Sequence, residues 1–189
     1  KSIKVKQLAP TMPVGSTELR PHRLKVGLYD ITGDKLSRRK NVELDVAGAL
    51  TEVTELAGEK TADLVLINDG DQSYAKLRFD DRSIATMKSH LGKLDDSLSR
   101  GLIWASLWDS TRDGELAASD YVTIALNALA GETDIATVTM TVAQIDTAIW
   151  SYASDANRDK LREQAASAFE KFLAGATPGS DHQLQYAKS

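Results

Sequence analysis

The spacing of apolar residues changes once along the 189-residue chain, in the stretch from Ala62 to Arg82. Before this stretch apolar and polar residues alternate, which is typical of strands with one buried face. After it apolar residues recur at every third or fourth position, which is typical of helices. The sequence therefore predicts two domains, a β domain over residues 1–80 and the start of a helical domain over residues 81–189.

The stretch itself contains the predicted junction between the two domains. Leu64–Ile67 is a nearly continuous aliphatic run, as expected for a strand that is covered on both faces. Turn residues follow at 68–71, and the alternation over 75–79 predicts one more short strand. Asp80 or Asp81 is suited to accept backbone N–H groups at the head of a helix, so the first helix is expected to begin directly afterwards.

The first half has the pattern of an antiparallel sheet protein. Thr32-Gly-Asp34 is typical hairpin-turn chemistry, because glycine tolerates the positive φ of a tight reversal. Six or seven short strands in about eighty residues predict a small antiparallel β-sandwich. The predicted strands cover residues 2–9, 22–30, 36–39, 42–46, 50–56, 64–67 and 75–79.

The second half shows five helical stripes and the start of a sixth. Helices of roughly ten to twenty residues, joined by short links that contain glycine, predict an antiparallel helical superhelix similar to an α-solenoid. Besides the first helix, the predicted N-caps are Ser119, Thr133 and Ser154 or Asp155. The thickest stripe, in the second helix, consists of Leu94, Leu98, Leu102, Ala105 and Trp108, widened by Ile103, Trp104 and Leu107.

The composition is ordinary for a soluble globular chain, with 42% hydrophobic and 26% charged residues. The net charge of −4 offers no strongly basic face, which argues against nucleic acid as a partner. The absence of cysteine excludes disulfides and thiolate metal sites and suits a reducing compartment. No apolar run reaches membrane-spanning length and no signal peptide is visible, so we expect a cytoplasmic protein without membrane contact.

The two ends of the sequence predict that it belongs to a longer protein. It starts at Lys1 rather than Met, and the helical pattern from Asp181 to Ser189 has no stop signal. Further helices are expected to cover an apolar face at this end, and we expect that face to promote self-association when it is open.

The residues that most often carry chemistry are scattered. His22, His90 and His182 lie far apart, and none has the close spacing of a zinc site. The segment Asn68–Asp71 clusters oxygen atoms around a glycine, but it lacks the downstream glutamate of a calcium loop, so a plain turn is favoured over calcium. We therefore predict no catalytic, cofactor-binding or metal-binding residue in this chain.

Three further groups of side chains are interpreted as structural. The charged residues Asp109, Arg112, Asp113 and Glu115 lie near the end of the second predicted helix, where charges are usually solvated. The basic residues 38–40 are predicted to protect a sheet edge against pairing with other chains. The three tryptophans lie on apolar helix faces and are predicted to be part of the core; they are Trp104, Trp108 and Trp150.

Three strings of residues resemble the aminopeptidase N family of zinc metallopeptidases in its bacterial form. They are Leu24-Lys-Val-Gly-Leu-Tyr-Asp30, Leu64-Val-Leu-Ile-Asn-Asp-Gly-Asp-Gln-Ser-Tyr-Ala-Lys-Leu-Arg-Phe-Asp80 and Ala105-Ser-Leu-Trp-Asp-Ser-Thr-Arg-Asp-Gly-Glu115. Their order agrees with that of the family, and the resemblance covers nearly the whole chain. It implies the family's small β-sandwich followed by the opening helices of its carboxy-terminal superhelix.

The resemblance also implies a parent enzyme that removes amino-terminal residues from peptides. The family holds its zinc through H-E-x-x-H and a downstream glutamate, and it binds the substrate amine partly through G-x-M-E-N. Neither motif occurs here, so no catalytic role is carried over to any residue of this chain. The resemblance implies that zinc and catalysis belong to a catalytic domain of the same parent chain, while this part spaces and roofs the active-site chamber.

Two other functions stay open on the sequence alone. One is a free-standing scaffold that binds a protein partner: a native start codon just before Lys1 would decide for the scaffold, whereas an upstream H-E-x-x-H in the same reading frame would decide for the peptidase. An independent hydrolase with an unrecognised site is disfavoured, because no group of polar residues converges in the sequence.

Overall fold

The structure is a computed structural model that describes residues 2–10 and 12–189. Within these residues five β-strands come first and six α-helices follow, so the predicted fold class is confirmed. The strands are β1 (Lys4–Lys6), β2 (His22–Thr32), β3 (Lys35–Val46), β4 (Leu50–Glu52) and β5 (Leu64–Ile67). The helices are α1 (Asp81–His90), α2 (Ser97–Arg112), α3 (Ala118–Leu129), α4 (Ile135–Thr147), α5 (Asp155–Gly175) and α6 (Asp181–Ala187).

The strands form two antiparallel sheets. One contains β1 and β4, and in the other β2 lies between β3 and β5. The predicted hairpin is confirmed: Gly33 and Asp34 connect β2 to β3, and Gly33 has the positive φ of 65° that the reversal needs. β3 is one continuous strand rather than two, with Arg39 as an extra residue opposite the step from Leu28 to Tyr29.

Several strand predictions were wrong, and the described residues contain five strands rather than six or seven. The stretch over 75–79 forms no strand because it pairs with none of the described strands; Leu77 is buried there, and Lys76 and Arg78 pair with Asp113 of the helical half. The stretch over 50–56 forms β4 and then a 3₁₀ turn at Thr54–Leu56. The first strand is shorter than expected, because β1 pairs only with the three-residue β4.

The three-stranded sheet is covered on both faces. Leu24, Val26 and Leu28 point to one core, which includes Val5 of β1. The opposite face packs against the helices in a second core, to which the sheet contributes Tyr29, Leu36, Leu64 and Leu66. This two-sided burial explains the aliphatic run of β5. A division into two domains at residue 80 stays a prediction, because the second core contains residues of both halves.

Side-chain capping marks the start of α1, α2, α4 and α6, whereas the residues before α3 and α5 make no capping hydrogen bond through their side chains. Asp80 accepts the N–H of Ser83 at 2.8 Å, which confirms the predicted start of α1. Two other predicted caps were wrong: Ala117 precedes α3 instead of Ser119, and Asp134 caps α4 instead of Thr133. Ser154 precedes α5, as predicted. None of the described helices is both long and apolar enough to cross a lipid bilayer.

The predicted inner face of α2 was only partly right. Ile103, Trp104 and Leu107 are fully buried, but Leu98 is 52% exposed. The buried face also carries polar residues whose hydrogen bonds are satisfied internally, such as Ser110 Oγ to the Ser106 carbonyl at 2.8 Å. A count of apolar residues therefore placed the face incorrectly around the helix.

Candidate functional site

A buried polar cluster connects the three-stranded sheet to the helices. We call it the polar junction; it consists of Tyr29 on β2, Arg38 on β3, Asp69 after β5 and Ser99 on α2. Asp69 is 1% exposed, and its Oδ1 accepts from Tyr29 Oη at 2.9 Å and from Ser99 Oγ at 3.4 Å. Its Oδ2 accepts from Arg38 Nη1 at 3.1 Å.

The turn after β5 and a glycine on β2 position the Asp69 side chain. Asn68 has a positive φ of 62°, and its side-chain oxygen accepts the Ser73 N–H at 2.9 Å. The Asp69 N–H donates to the Lys25 carbonyl at 3.0 Å, so the turn is tied to β2. On β2, a Cβ at Gly27 would lie 2.3 Å from Asp69 Oδ2, and the missing side chain therefore leaves the space that the carboxylate occupies.

The charges of the polar junction are balanced within it. The hydrogen bond to Asp69 raises the pKa of Arg38, so the guanidinium stays charged beside the carboxylate. Burial raises the pKa of Tyr29 to about 12, so its hydroxyl is a neutral donor at physiological pH. Both carboxylate oxygens of Asp69 already accept hydrogen bonds within the cluster. The arrangement therefore suits a group that positions structural elements rather than a nucleophile or a base.

The sequence correctly predicted a turn at Asn68–Asp71 but missed the burial of Asp69. Arg38 donates to the Asp69 carboxylate, and Asp71 accepts a hydrogen bond from the Asn68 amide at 3.2 Å. These oxygens are therefore not arranged as a calcium ligand set. A signal was available: a glycine inside an otherwise regular strand indicates the close approach of another group. The sequence alone did not indicate which group approaches Gly27.

A second buried ion pair connects α2 to the turn between α3 and α4. Arg100 donates to the two carboxylate oxygens of Glu132 at 2.9 and 3.0 Å, and its Nη1 donates to the Leu94 carbonyl at 2.6 Å. Trp104 Nε1 donates to the same carboxylate at 3.3 Å. Burial acts to raise the pKa of Glu132, but the Arg100 hydrogen bonds and the Asp134 N–H outweigh it and lower this pKa overall.

The charged cluster predicted at the end of α2 is not simply solvated. Asp113 accepts from Lys76 at 2.8 Å and also pairs with Arg78, which in turn pairs with Glu115. The hydrogen bond from Lys76 lowers the pKa of Asp113. Asp109 has no ion-pair partner within the described part of the chain. The irregular segment between β5 and α1 is thereby attached to the loop between α2 and α3.

The basic residues 38–40 are all paired. Arg38 belongs to the polar junction, Arg39 pairs with Asp30 and Glu59, and Lys40 pairs with Glu59 at 2.8 Å. β3, which carries them, does lie at an edge of the three-stranded sheet. Their predicted role in protecting this edge stays a prediction.

The structure keeps the three histidines apart. His22 begins β2, His90 ends α1 and contacts Ser89 Oγ at 2.8 Å, and His182 lies in α6. Among residues 2–10 and 12–189, no group of three or more metal-ligating side chains is arranged around a common point. The absence of metal-binding residues and the inactivity of this chain both stay predictions.

An open cleft lies between α4, α5 and α6. We call it the α4–α5 cleft; its volume is about 960 Å³. Trp150 forms part of its wall and is 53% exposed, so the prediction that all three tryptophans are core residues was wrong for this one. A π-helical turn, Ala148–Tyr152, follows α4 and shifts the side chains relative to the α-helical pattern. Its neighbour Ile149 is 4% exposed and keeps the buried position, so Trp150 lies beside the buried face rather than on it.

Comparison with known proteins gives two matches. The model of a family described as "ERAP1-like C-terminal domain" matches residues 64–189. The chain is also 43% identical, over 192 aligned residues, to a protein of Streptomyces lividans named "Aminopeptidase N". This match covers 100% of the chain and 22% of the relative, so the chain spans about a fifth of the length of that protein.

Proposed function

Because this chain belongs to the family of ERAP1-like C-terminal domains, we propose that it is a non-catalytic part of a longer aminopeptidase that removes amino-terminal residues from peptides. The observation that carries the proposal is the 43% identity along the whole chain to Aminopeptidase N of Streptomyces lividans. The motifs H-E-x-x-H and G-x-M-E-N are absent from the sequence, which favours a structural rather than a catalytic role.

The partner of this chain is, in our proposal, the catalytic domain of the same parent, which also holds the zinc. Bound zinc supplies a Lewis acid and an activated water in peptidases. The dispersed histidines argue that its ligands come from outside this chain. Peptide substrates reach this part only through the parent enzyme.

The helical half roofs the chamber of the parent enzyme, and the sheets space it from the catalytic domain. A roof that excludes water must hold a fixed position. The polar junction and the Arg100–Glu132 pair support this role, because they join α2 to the sheet on one side and to the next helices on the other. The Arg100–Glu132 pair and the Asp69 carboxylate are buried, so solvent screens these groups little, whereas the Arg38 side chain is 43% exposed.

The first test compares the chain with the parent enzyme. We expect the 189-residue chain to contain no zinc and to leave an aminoacyl p-nitroanilide intact, whereas the parent contains zinc and cleaves it. Metal analysis by mass spectrometry and the absorbance of released nitroaniline provide the two measurements. Cleavage by the chain alone, with stoichiometric zinc, would contradict the proposal.

A second test addresses the roof in the parent enzyme. Asp69→Asn removes a charge from the polar junction, whereas the control Asp45→Asn removes one from an exposed pair with Arg23. We expect Asp69→Asn to change the ratio of kcat/KM between a ten-residue peptide and the aminoacyl p-nitroanilide, and Asp45→Asn to leave it unchanged. Equal ratios in both variants count against a roofing role.

Two further parts of the proposal need separate tests. The cytoplasm is the proposed location, because a chain without cysteine suits a reducing compartment, and recovery in another cell fraction would overturn this part of the proposal.

The alternative function is a free-standing protein-binding scaffold, which the open α4–α5 cleft favours. A start codon immediately before Lys1, with no peptidase reading frame upstream, would decide for the scaffold.

A further inference from the structure

A small pocket lies between β3 and the segment that leads into α2. We call it the hairpin pocket; its volume is about 190 Å³. Leu36 of β3 forms a parallel β-bridge with Leu94, so the backbone joins the two sides of the pocket. A water molecule takes up about 30 Å³ in the liquid, and the space therefore corresponds to about six waters. The hairpin pocket suits a small metabolite rather than a peptide or a drug-sized ligand.

The lining of the hairpin pocket combines apolar and charged side chains. Tyr29, Leu36 and Leu94 are buried and form its apolar part. Arg38 and Asp95 also line the pocket, but both side chains reach solvent. A ligand in this space would therefore meet an apolar surface together with one cation and one anion.

Arg38 keeps hydrogen-bond donors for such a ligand. Both of its hydrogen bonds to Asp69 come from Nη1, so Nε and Nη2 are not used on that carboxylate. A guanidinium presents its N–H groups in a planar fork that matches the geometry of a carboxylate. Arg38 can therefore hold the buried Asp69 with one nitrogen and a ligand carboxylate with the other two.

Asp95 is the carboxylate best placed to accept from a ligand. Its side chain is 81% exposed, and its ion pair with Lys35 is 3.5 Å long. An exposed pair of this kind contributes little, so a ligand can replace Lys35 at small cost. The neighbouring Asp96 is less available, because its oxygens accept from Leu98 and Ser99 at the start of α2.

We propose that the hairpin pocket binds a free α-amino acid with an apolar side chain. Arg38 binds its carboxylate, Asp95 binds its ammonium group, and the buried apolar residues contact its side chain. The source of the ligand rests on the proposed function, since an enzyme that removes amino-terminal residues releases free amino acids. The pocket is then a product-binding site that lies beside the polar junction.

Ligands with a single charge fit the hairpin pocket less well. A simple anion on Arg38 would also face Asp95, whereas a simple amine on Asp95 would face Arg38. Like charges brought together in this way disfavour binding. An α-amino acid carries both charges close together, so it satisfies both groups at once.

The test compares three ligands of one size on the 189-residue chain: L-valine, L-valinamide without the carboxylate, and 3-methylbutanoate without the ammonium group. The amide NMR shifts of Ser37 and Asp95 measure binding. We expect L-valine to bind in the millimolar range. L-valinamide should bind at least about ten-fold more weakly, because it loses charged hydrogen bonds to Arg38. 3-Methylbutanoate should bind about two- to five-fold more weakly, as the loss of one exposed ion pair allows.

Two aspartate variants provide a matched comparison. Asp95→Asn should weaken the binding of L-valine about two- to five-fold and should not weaken that of 3-methylbutanoate. The control is Asp34→Asn, because Asp34 is also 81% exposed and has a similarly long pair with Lys93, at 3.6 Å, but does not line the pocket. Equal affinity for L-valine and L-valinamide, equal losses in the two variants, or no shift with L-valine would overturn the proposal.

The proposed function can fail independently of this inference. The binding measurement needs only the 189-residue chain, whereas zinc content and p-nitroanilide cleavage are measured on the parent enzyme. An active zinc peptidase whose 189-residue part does not bind L-valine would refute the product-binding site alone. A parent without peptidase activity would remove the proposed source of the amino acid even if the chain binds it.

Discussion

Gly27 sets the space in which the Asp69 carboxylate lies. The two residues meet because β2 and the turn after β5 are adjacent, and the carboxylate occupies the position of a side chain on β2. A methyl group there would also come within 2.9 Å of the Tyr29 ring. The smallest possible substitution therefore disturbs two members of the polar junction at once.

We expect Gly27→Ala to lower the free energy of unfolding by about 1–3 kcal/mol, the usual cost of overpacking a core. Gly101→Ala is the matched control: a Cβ at this α2 position meets nothing within 4 Å, and alanine is the better helix former by up to about 1 kcal/mol. Urea denaturation of both variants measures the two changes. If Gly27→Ala is as stable as Gly101→Ala, the packing described around Asp69 is incorrect.

Glu132 makes stability depend on pH at the residue scale. Its pKa in the folded chain lies below the ordinary value of 4.5, so its contribution to stability is present above about pH 4.5 and is lost as the pH falls through the folded pKa. Glu132→Gln should remove this contribution and should cost roughly 3 kcal/mol at pH 7, because Arg100 stays buried without its partner.

Denaturation curves between pH 3 and 7 provide the measurement. The double variant Arg100→Met with Glu132→Leu removes both charges, and it should recover much of the stability at pH 7 while also lacking the acid-dependent part. A Glu132→Gln curve that falls as steeply with acid as that of the wild type would contradict the assignment.

Sequence reasoning succeeded for residues whose partners are local and failed where partners are distant. Asp80 caps α1 by accepting from Ser83, and this contact is visible in the local sequence. Asp69 has partners on β2, β3 and α2, so its burial depends on the tertiary fold. The absence of catalytic residues was inferred from missing motifs and stays a prediction.

At the scale of elements, α2 shows why apolar spacing is an incomplete guide. Its buried face mixes serine, threonine and arginine with apolar residues, because each polar group finds a partner inside the helix or on a neighbour. Trp150 shows a second reason, since its neighbour Ile149 takes the buried position and the tryptophan is left partly exposed.

The orientation of α2 predicts a difference between two leucines. Leu107→Ala should cost about 2–5 kcal/mol, because Leu107 is fully buried, whereas Leu98→Ala should cost less than about 1 kcal/mol, because Leu98 is 52% exposed. Chemical denaturation of both variants measures these costs on the same helix. Similar losses for the two would mean that α2 turns a different face towards the core.

At the scale of the whole molecule, the two predicted domains share a core. The second core joins sheet residues such as Leu66 to helical residues such as Met87 and Trp104. We therefore expect one cooperative thermal transition, with a calorimetric enthalpy equal to the van't Hoff enthalpy. Val26→Ala in the sheets and Leu107→Ala in the helices should both move this single transition, as measured by scanning calorimetry. Two separate transitions would show that residues 1–80 and 81–189 unfold independently.

The polar junction also has a consequence for how such chains evolve. Asp69 needs a gap at Gly27, a cation at Arg38 and hydroxyls at Tyr29 and Ser99, and the loss of any one leaves the buried carboxylate crowded or short of a hydrogen bond. Single substitutions at these positions are therefore expected to be costly. Lineages that descend from a common ancestor should inherit the set unchanged or exchange it together, and a lineage that has abandoned Asp69 should have filled the gap at Gly27.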